Sequence, residues 1–359
     1  MTRRDFILSS SALAICGCRS PEAAAEDELH AEMRRCIDSG LYSGLAVGSN
    51  RLVPQVAGCR TLDGELPVTP ETLFDLASVG KTQTAALCAL LYADGRLDPD
   101  APFTKYLPGH VLAKEDCRIT VRDLATHTGG FDNSKPYMLP NVTEHFERLF
   151  AKRPVKPRGE SFCYACSNFV YLGMIVENIT GMGLDAAAKK LLWGPLGMSR
   201  TTWSTCVGDG NVCEYPKSTY DGPLRRLGEH NDLCAHYAGR PMGNGSCFST
   251  GPDMLKFVTD FIERRTFKKE YYELQLSESA RVDGHRRSFG WDMTSGKSTF
   301  SDWVKTDFSN RAICHTGWSG SAIAVDPECG YAGVVLGNRL ASKEATMGPR
   351  MHMLDLMRW

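Results

Sequence analysis

The sequence predicts an α/β protein in which an antiparallel sheet, flanked by N- and C-terminal helices, is joined to a mostly helical second lobe. Three observations lead to this fold class. Strand-like runs occur near both ends of the chain, a helical stretch precedes the first of them, and the middle third spaces its apolar residues as helices do. Strands from both chain ends must share one sheet, so we expect the middle third to form its own lobe. A cleft between two such lobes is a usual place for a functional site.

The predicted elements follow this order along the chain. "EDELHAEMRRCIDSG" has helical character and ends at Gly40, and "SGLAVGS" and "LVPQVAGCR" are predicted as two strands around a turn. The run "KTQTAALCALLYADGRL" is predicted as a helix that begins next to Ser78 and stops at Gly95. Helices and loops fill the middle, and "RAICHTGWSGSAIAVDP" and "GYAGVVLGNR" are predicted as strands before a last helix through Met351 and Leu354.

Length and composition indicate a globular protein with a sizeable core. The chain has 359 residues, of which 42% are hydrophobic. We expect one composite domain over residues 27–359, with a sheet lobe at about 27–80 and 240–359 and a helical lobe at about 81–239. Its 41 basic and 42 acidic residues give a formal net charge of −1, which leaves no basic surface typical of nucleic-acid binding. We expect a monomer without a nucleic-acid partner.

The first 25 residues are predicted to be an export signal. Arg3 and Arg4 are followed by a short apolar and serine-containing run, the layout of a twin-arginine signal, and this run is too short to span a bilayer. The sequence offers two alternative sites at which the signal could be processed. The sequence around Cys18 resembles a bacterial lipobox and would give a lipid anchor, whereas Ala23–Ala25 offers a peptidase site. Either outcome places the mature protein in the cell envelope, in the periplasm or anchored to the membrane.

The stretch "FDLASVGKTQTAAL" contains the residues that we expect to carry the chemistry. Gly80-Lys81-Thr82 matches the end of a phosphate-binding loop, but the first glycine of that motif would fall at Asp75, whose carboxylate would repel phosphate. The same letters give an S-x-x-K motif at Ser78 and Lys81, which pairs a hydroxyl nucleophile with an amine on one face of a helix. For the amine to accept a proton near neutral pH, its pKa must fall by about three units.

Several further runs, in order along the chain, carry a family resemblance. Those after the S-x-x-K stretch are "RDLATHTGGF", "GESFCYACSNFVYLGMIVENITG", "NGSCFSTGPDMLKF" and "HTGWSGSAIAVDPE". Together they resemble the serine β-lactamase and penicillin-binding family, in the branch of class C β-lactamases, D-Ala-D-Ala carboxypeptidases and related esterases. The resemblance covers roughly residues 71–338. It implies the β-lactamase/transpeptidase type of fold and hydrolysis through an acyl-enzyme.

The resemblance also implies roles for individual residues. Ser78 is similar to the acylated nucleophile, Lys81 to its activating amine, and Tyr164 to the tyrosine of a Y-x-N motif that moves a proton between the serine and the leaving group. His315 belongs to a motif that resembles K/H-T-G, which lies on the strand beside the nucleophile. A second His-Thr-Gly, starting at His127, resembles a structural loop of the family.

The residues that follow His315 are expected to bind the substrate. Thr316 would bind a carboxylate or carbonyl of the substrate, and Gly317 would let the substrate backbone approach. The backbone N–H of Trp318 would join that of Ser78 in an oxyanion hole.

One position departs from the family pattern. The asparagine of Y-x-N is replaced by Cys166, whose thiol is a weak donor and acceptor for a substrate amide, and Asn168 two residues later is the alternative contact. The Cys163/Cys166 pair has C-x-x-C spacing but no second pair follows it, so we expect neither a metal nor a cofactor.

The sequence thus predicts an exported serine hydrolase that acts through an acyl-enzyme on Ser78. A small molecule or peptide would be its substrate, with peptidoglycan stem peptides, other D-amino-acid peptides and esters ranked above β-lactams because Cys166 and His315 depart from class C β-lactamases. A β-lactamase is the alternative within this class. A penicillin-recognising sensor or binding protein without catalysis is the alternative of another class.

The export signal gives a first testable prediction. Replacing both arginines, Arg3→Lys with Arg4→Lys, should leave the precursor in the cytoplasm, because the paired arginines are the feature read by twin-arginine export. Cell fractionation measures this, and labelled palmitate should enter the unaltered protein at Cys18 but not a Cys18→Ser control. Lipid-free protein that begins at Glu26 would favour the peptidase site instead.

Overall fold

The computed structural model describes residues 21–214, 227–294 and 308–359. The predicted twin-arginine and lipobox sequences fall at residues 1–20 and lie outside the described residues. No helix within the described ranges is long and apolar enough to cross a membrane.

The helices lie mainly between the two groups of strands. They are α1 Pro21–Asp38, α2 Gly80–Ala93, α3 Val121–Thr126, α4 Val142–Ala151, α5 Cys166–Thr180, α6 Leu184–Ala188, α7 Gly194–Leu196, α8 Leu233–Ala238, α9 Gly251–Glu263, α10 Lys269–Leu276 and α11 Lys343–Leu356. A π-helical turn at Lys189–Trp193 connects α6 to α7. The strands are β1 Tyr42–Ser49, β2 Leu52–Gly58, β3 Phe74–Asp75, β4 Phe248–Ser249, β5 Glu278–Val282, β6 His285–Ser288, β7 Trp291–Met293, β8 Ile313–Thr316, β9 Ala322–Asp326 and β10 Tyr331–Arg339.

Eight strands form one antiparallel sheet in the order β2-β1-β10-β9-β8-β7-β6-β5. The first strands of the chain therefore pair with the last strand, with Leu45 opposite Gly337. Helices α1 and α11 pack on each other and on one face of this sheet, and α9 packs on its other face. The predicted fold class is confirmed, including the sheet built from both chain ends and its two flanking terminal helices.

Two local differences from the sequence prediction have simple causes. The run "RAICHTGWSGSAIAVDP" forms two strands, β8 and β9, because a turn at Gly317–Ser321 reverses the chain, with the Gly317 N–H donating to Ser321 O at 2.7 Å. Strands β5 to β7 were not predicted. They are only three to five residues long, and charged residues such as Arg281 and Arg287 obscure their alternation.

The helical part brings α2 and α5 together in the main core. Leu87, Leu91, Phe169 and Leu172 on these two helices are buried in one cluster. Helix α3 begins with a capping box in which Thr120 and Asp123 satisfy each other's backbone N–H groups, and it ends at His127 in the left-handed region. This packing fixes α2 and the residues that precede α5 against each other, and both contribute to the cleft described below.

Helix α11 holds the turn between β8 and β9 through a buried arginine. Arg350 is fully buried and donates from Nη1 to the carbonyl oxygens of Gly317 at 2.7 Å and Ser321 at 3.2 Å. Burial lowers the pKa of its guanidinium to about 10, so the side chain is still a cation at neutral pH. The C-terminal helix therefore positions the strand that faces the nucleophile.

Arg350→Met should lower the free energy of unfolding by about 2 to 4 kcal/mol, because two buried carbonyls lose their charged donor. Chemical denaturation measures the change. Arg34→Met, at an exposed position of α1, is the matched control and should change stability little. Equal effects of the two substitutions would contradict the role given to Arg350.

Candidate active site

Many polar and charged side chains line a cleft of about 560 Å³. Its walls come from both parts of the fold. The lining residues include Asp75, Ser78, Asn133, Lys135, Phe162, Tyr164, Cys166, Asn231, Asp232, Asn244, Ser246, His285, Arg287, Asp292, His315, Thr316, Gly317, Trp318 and Lys343. Every predicted site residue except Lys81 is in this lining, and Lys81 lies directly behind it.

Ser78 occupies a short 3-10 turn, Ala77–Val79, immediately before helix α2. Ala77 has a φ of +46°, in the left-handed region that costs free energy for a residue with a Cβ. The N–H of Ala77 donates to the Asp75 carboxylate at 2.6 Å, which stabilises this turn. The acidic residue that argued against a phosphate loop thus supports the backbone that presents Ser78 to the cleft.

Two side chains contact the Ser78 hydroxyl. Lys81 donates from Nζ to Ser78 Oγ at 3.1 Å, and Tyr164 donates from Oη to the same oxygen at 2.8 Å. Lys81 is fully buried, and its ammonium also donates to the backbone oxygen of Asn244 at 2.5 Å. The three residues that the sequence assigned to nucleophile, amine and proton shuttle therefore meet at one oxygen atom.

The pKa of Lys81 differs from the sequence-based expectation. Burial alone lowers it, but interactions with Cys166 and Tyr164 outweigh burial and raise the pKa above its ordinary value. The amine is therefore an ammonium ion in the free protein, where the sequence argument required a fall of about three units. The Lys81 ammonium also lies 5.1 Å from the ring centre of Tyr164.

His127 supports Tyr164 from behind. Its ring centre lies 4.5 Å from that of Tyr164, and its Nδ1 accepts from the backbone N–H of Ala165 at 3.2 Å. Burial first, and then the nearby cations Arg287 and Lys81, hold the pKa of His127 well below its usual range. It is a neutral positioning residue that does not line the cleft.

The two candidates for an amide contact occupy different places. Cys166 lines the cleft with its Sγ 3.9 Å from Lys81 Nζ. Asn168 is fully buried, points its Nδ2 at His127 Nδ1 over 3.1 Å, and does not line the cleft. The geometry thus favours Cys166 over Asn168 as the residue that faces a ligand.

Strand β8 and its following turn form the opposite wall. His315 and Thr316 are its last residues, and the pairing of β7 with β8 ends at Cys314. A Cβ on Gly317 would come within 2.4 Å of Leu76 O, so only glycine allows this strand to lie so close to the nucleophile turn. Trp318 also lines the cleft, and the Arg339 guanidinium lies 3.7 Å from its ring centre.

His315 does not provide a positive charge. Burial first, and then the cations Arg287 and Lys81, hold its pKa well below the usual range. Its Nδ1 lies 3.0 Å from the Thr316 carbonyl oxygen, an acceptor, so Nδ1 carries the proton and Nε2 is free to accept one. The predicted oxyanion hole of Ser78 and Trp318 N–H groups stays a prediction.

Sequence reasoning missed several cleft residues, and two of them matter most for the site. Arg287 on β6 is almost fully buried, pairs with Asp292 and lies 5.4 Å from the ring centre of Phe162. Burial lowers its pKa to about 10, which leaves a cation in the wall. Asn244 is the second, and it lies in "NGSCFST", a run that carried family resemblance but no assigned role.

Metal chemistry has no obvious ligands in the described ranges. No group of three or more histidine, cysteine, aspartate and glutamate side chains there could hold a metal ion. The twelve cysteines within residues 21–214, 227–294 and 308–359 are all free thiols.

Comparisons with known proteins agree with this geometry. A putative D-alanyl-D-alanine carboxypeptidase of Escherichia coli (strain K12) is 25% identical over 354 residues, which cover 87% of this chain and 81% of that protein. A beta-lactamase from Sulfitobacter sp. EE-36 superposes with a TM-score of 0.75 at 22% identity, covering 94% of this chain and 98% of the other. A beta-lactamase/D-alanine carboxypeptidase from Pseudomonas syringae gives a TM-score of 0.75 at 20% identity, covering 92% and 99%.

These two structures share the fold of this chain, and the family itself follows from the sequence. The model of the Beta-lactamase family matches residues 33–355, a span that contains the whole cleft. The chain therefore belongs to the Beta-lactamase family and is a serine hydrolase, and Ser78, Lys81 and Tyr164 meet in that cleft.

Proposed function

We propose that the protein is an exported peptidase that forms an acyl-enzyme on Ser78 and releases the C-terminal residue of peptides ending in D-amino acids. The observation that carries the proposal is the contact of Ser78 Oγ with both Lys81 Nζ and Tyr164 Oη at the floor of the cleft. The similarity to the putative D-alanyl-D-alanine carboxypeptidase of E. coli supports the substrate class. The paired arginines at residues 3 and 4 support export.

The reaction needs one proton to leave the Lys81–Tyr164 pair before acylation starts. The pair then takes the proton of Ser78 as Oγ attacks the scissile carbonyl, and the C–O bond to the serine forms. When the C–N bond breaks, the pair returns that proton to the leaving amine. Tyr164 can transfer the proton directly, because its Oη lies 2.8 Å from Ser78 Oγ. The same groups then take a proton from water as it attacks the acyl-enzyme, and they return a proton to Ser78 Oγ. This step releases the shortened peptide.

The cleft also has charges that suit a peptide with a free C-terminus. Lys343 at the start of α11 and Lys135 both line it, whereas the buried Arg287 is already paired with Asp292. Thr316 can donate a hydrogen bond to the terminal carboxylate in the role expected from the sequence. β-Lactams rank below peptides in this proposal because His315 is neutral and Cys166 lacks a carboxamide.

Intact-mass measurement tests the proposed nucleophile. A fluorophosphonate should add one label to the protein, and Ser78→Ala should abolish the addition, because Ser78 is the hydroxyl in contact with both proton-transfer groups. D-Alanine should be released from an acetylated tripeptide ending in D-Ala-D-Ala and not from its L-Ala-L-Ala counterpart.

Other results of that experiment have clear meanings. Labelling that survives Ser78→Ala would refute the nucleophile. Rapid turnover of a penicillin with no release of D-alanine would favour the β-lactamase alternative, and a stable adduct with no turnover of any substrate would favour the sensor.

The pH dependence follows from the direction of the Lys81 pKa. Because that pKa is raised, Lys81 keeps its proton at neutral pH, and the rate constant for labelling of Ser78 should rise as pH increases from about 6 to 10. Stopped-flow labelling with a fluorophosphonate measures this profile, and a flat profile would contradict the mechanism. Tyr164→Phe should lower the rate by about 100-fold. Tyr171→Phe is the matched control, since the Tyr171 hydroxyl donates to Leu149 O outside the cleft.

A further inference from the structure

The segment between α8 and β4 has its backbone firmly held against the nucleophile helix. Four carbonyl oxygens within residues 243–247 each accept a hydrogen bond. The donors and acceptors are Thr84 Oγ1 to Gly243 O at 2.7 Å, Lys81 Nζ to Asn244 O at 2.5 Å, Trp203 Nε1 to Gly245 O at 3.0 Å and Leu76 N to Cys247 O at 2.8 Å. Because the donors come from α2, from Leu76 before the Ser78 turn and from Trp203, the position of this segment is fixed relative to Ser78.

Glycine is required at the centre of the segment. Gly245 has a φ of +154°, and a Cβ there would come within 2.9 Å of Ala77 O. The segment thus passes directly beside the residue that precedes the nucleophile. Its flanking side chains, Asn244 and Ser246, both line the cleft.

In contrast to the backbone, these two side chains have unmet hydrogen-bonding groups. Asn244 is 2% exposed, and neither its Nδ2 nor its Oδ1 has a partner among the described residues. The hydroxyl of Ser246 is fully buried and likewise lacks a partner there. Buried amides and hydroxyls without partners cost free energy, so they are rare in folded proteins and each needs an explanation.

We propose that Asn244 binds an amide group in the acyl part of the substrate, with Ser246 as an additional donor. A carboxamide offers a donor and an acceptor side by side, which complements the C=O and N–H of one peptide group. This inference rests on the proposed function, and it defines the preferred acyl donors as peptides or N-acylated amino acids rather than simple aliphatic esters.

The contacts of Lys81 place this amide contact next to the reacting atoms. The same ammonium that touches Ser78 Oγ also holds Asn244 O and lies 3.9 Å from Cys166 Sγ. Cys166 therefore leaves a weakly polar surface on one side of Lys81, while Asn244 provides a carboxamide on the other. The amide-binding capacity that the sequence lacks at Cys166 is present on a different segment of the chain.

A series of three 4-nitrophenyl esters with acyl chains of equal length tests the proposal. N-acetylglycyl carries both C=O and N–H, 4-oxopentanoyl carries only the C=O, and pentanoyl carries neither. Asn244→Ala should lower kcat/KM for the N-acetylglycyl ester by about 10-fold or more and for the pentanoyl ester by less than about 3-fold, with an intermediate loss for 4-oxopentanoyl. Asn244→Asp keeps an acceptor of the same shape but removes the donor, so it should abolish the preference for 4-oxopentanoyl over pentanoyl.

Asn168→Ala is the matched control, because it removes a buried carboxamide that touches His127 and not the cleft. It should lower kcat/KM for all three esters by the same factor. An equal loss on all three esters in Asn244→Ala and Asn244→Asp, or no loss, would overturn the proposal and leave Asn244 as a structural residue that binds water.

Failure of the proposed function has a different signature. Wild-type protein that is not labelled by a fluorophosphonate at Ser78 contradicts the proposed function. Wild-type protein that is labelled, but hydrolyses the three esters at equal kcat/KM, contradicts only the role of Asn244. If Asn244→Ala does not fold, Asn244→Asp decides the question, because its side chain has the same size and shape.

Discussion

The buried ammonium of Lys81 is the interaction on which the site depends. A lysine that is fully removed from water must find hydrogen-bond acceptors, and this one finds Ser78 Oγ and Asn244 O. These acceptors belong to the nucleophile turn and to the segment before β4, so the need to solvate one charge joins two separate parts of the chain. Tyr164 then approaches the same charge from the start of α5. The arrangement of the cleft follows from a single desolvated cation.

The sequence motifs do not predict which side chains in and around the rest of the cleft are charged. The two histidines of the His-Thr-Gly motifs, His127 and His315, are both neutral because they are buried near cations. A buried positive charge near the β8 wall belongs instead to Arg287 on β6, which pairs with β7, the strand next to β8. A buried arginine keeps its charge under conditions where a histidine loses it, so the charge of Arg287 does not change across the physiological pH range.

Sequence reasoning succeeded where chemistry and local spacing coincide. Ser78 and Lys81 are three residues apart at a helix start, and such pairs meet whenever the helix forms. Strands β1 and β10 were predicted because they are long and apolar. Arg287 and Asn244 could not be found in this way, because each reaches the cleft through sheet pairing or tertiary hydrogen bonds between distant segments. The sequence could not predict whether the pKa of Lys81 is raised or lowered, since the shift depends on which groups surround the amine.

The pairing of β1 with β10 has a consequence for how the protein is made. Strands separated by nearly the whole chain lie side by side, and closing so long a loop is entropically costly and slow. The strand that faces the nucleophile is held by α11, the last helix of the chain. A growing polypeptide therefore exposes Ser78 and Lys81 long before the opposite wall exists. We therefore expect the hydrolase to be inactive until α11 has docked on the turn after β8.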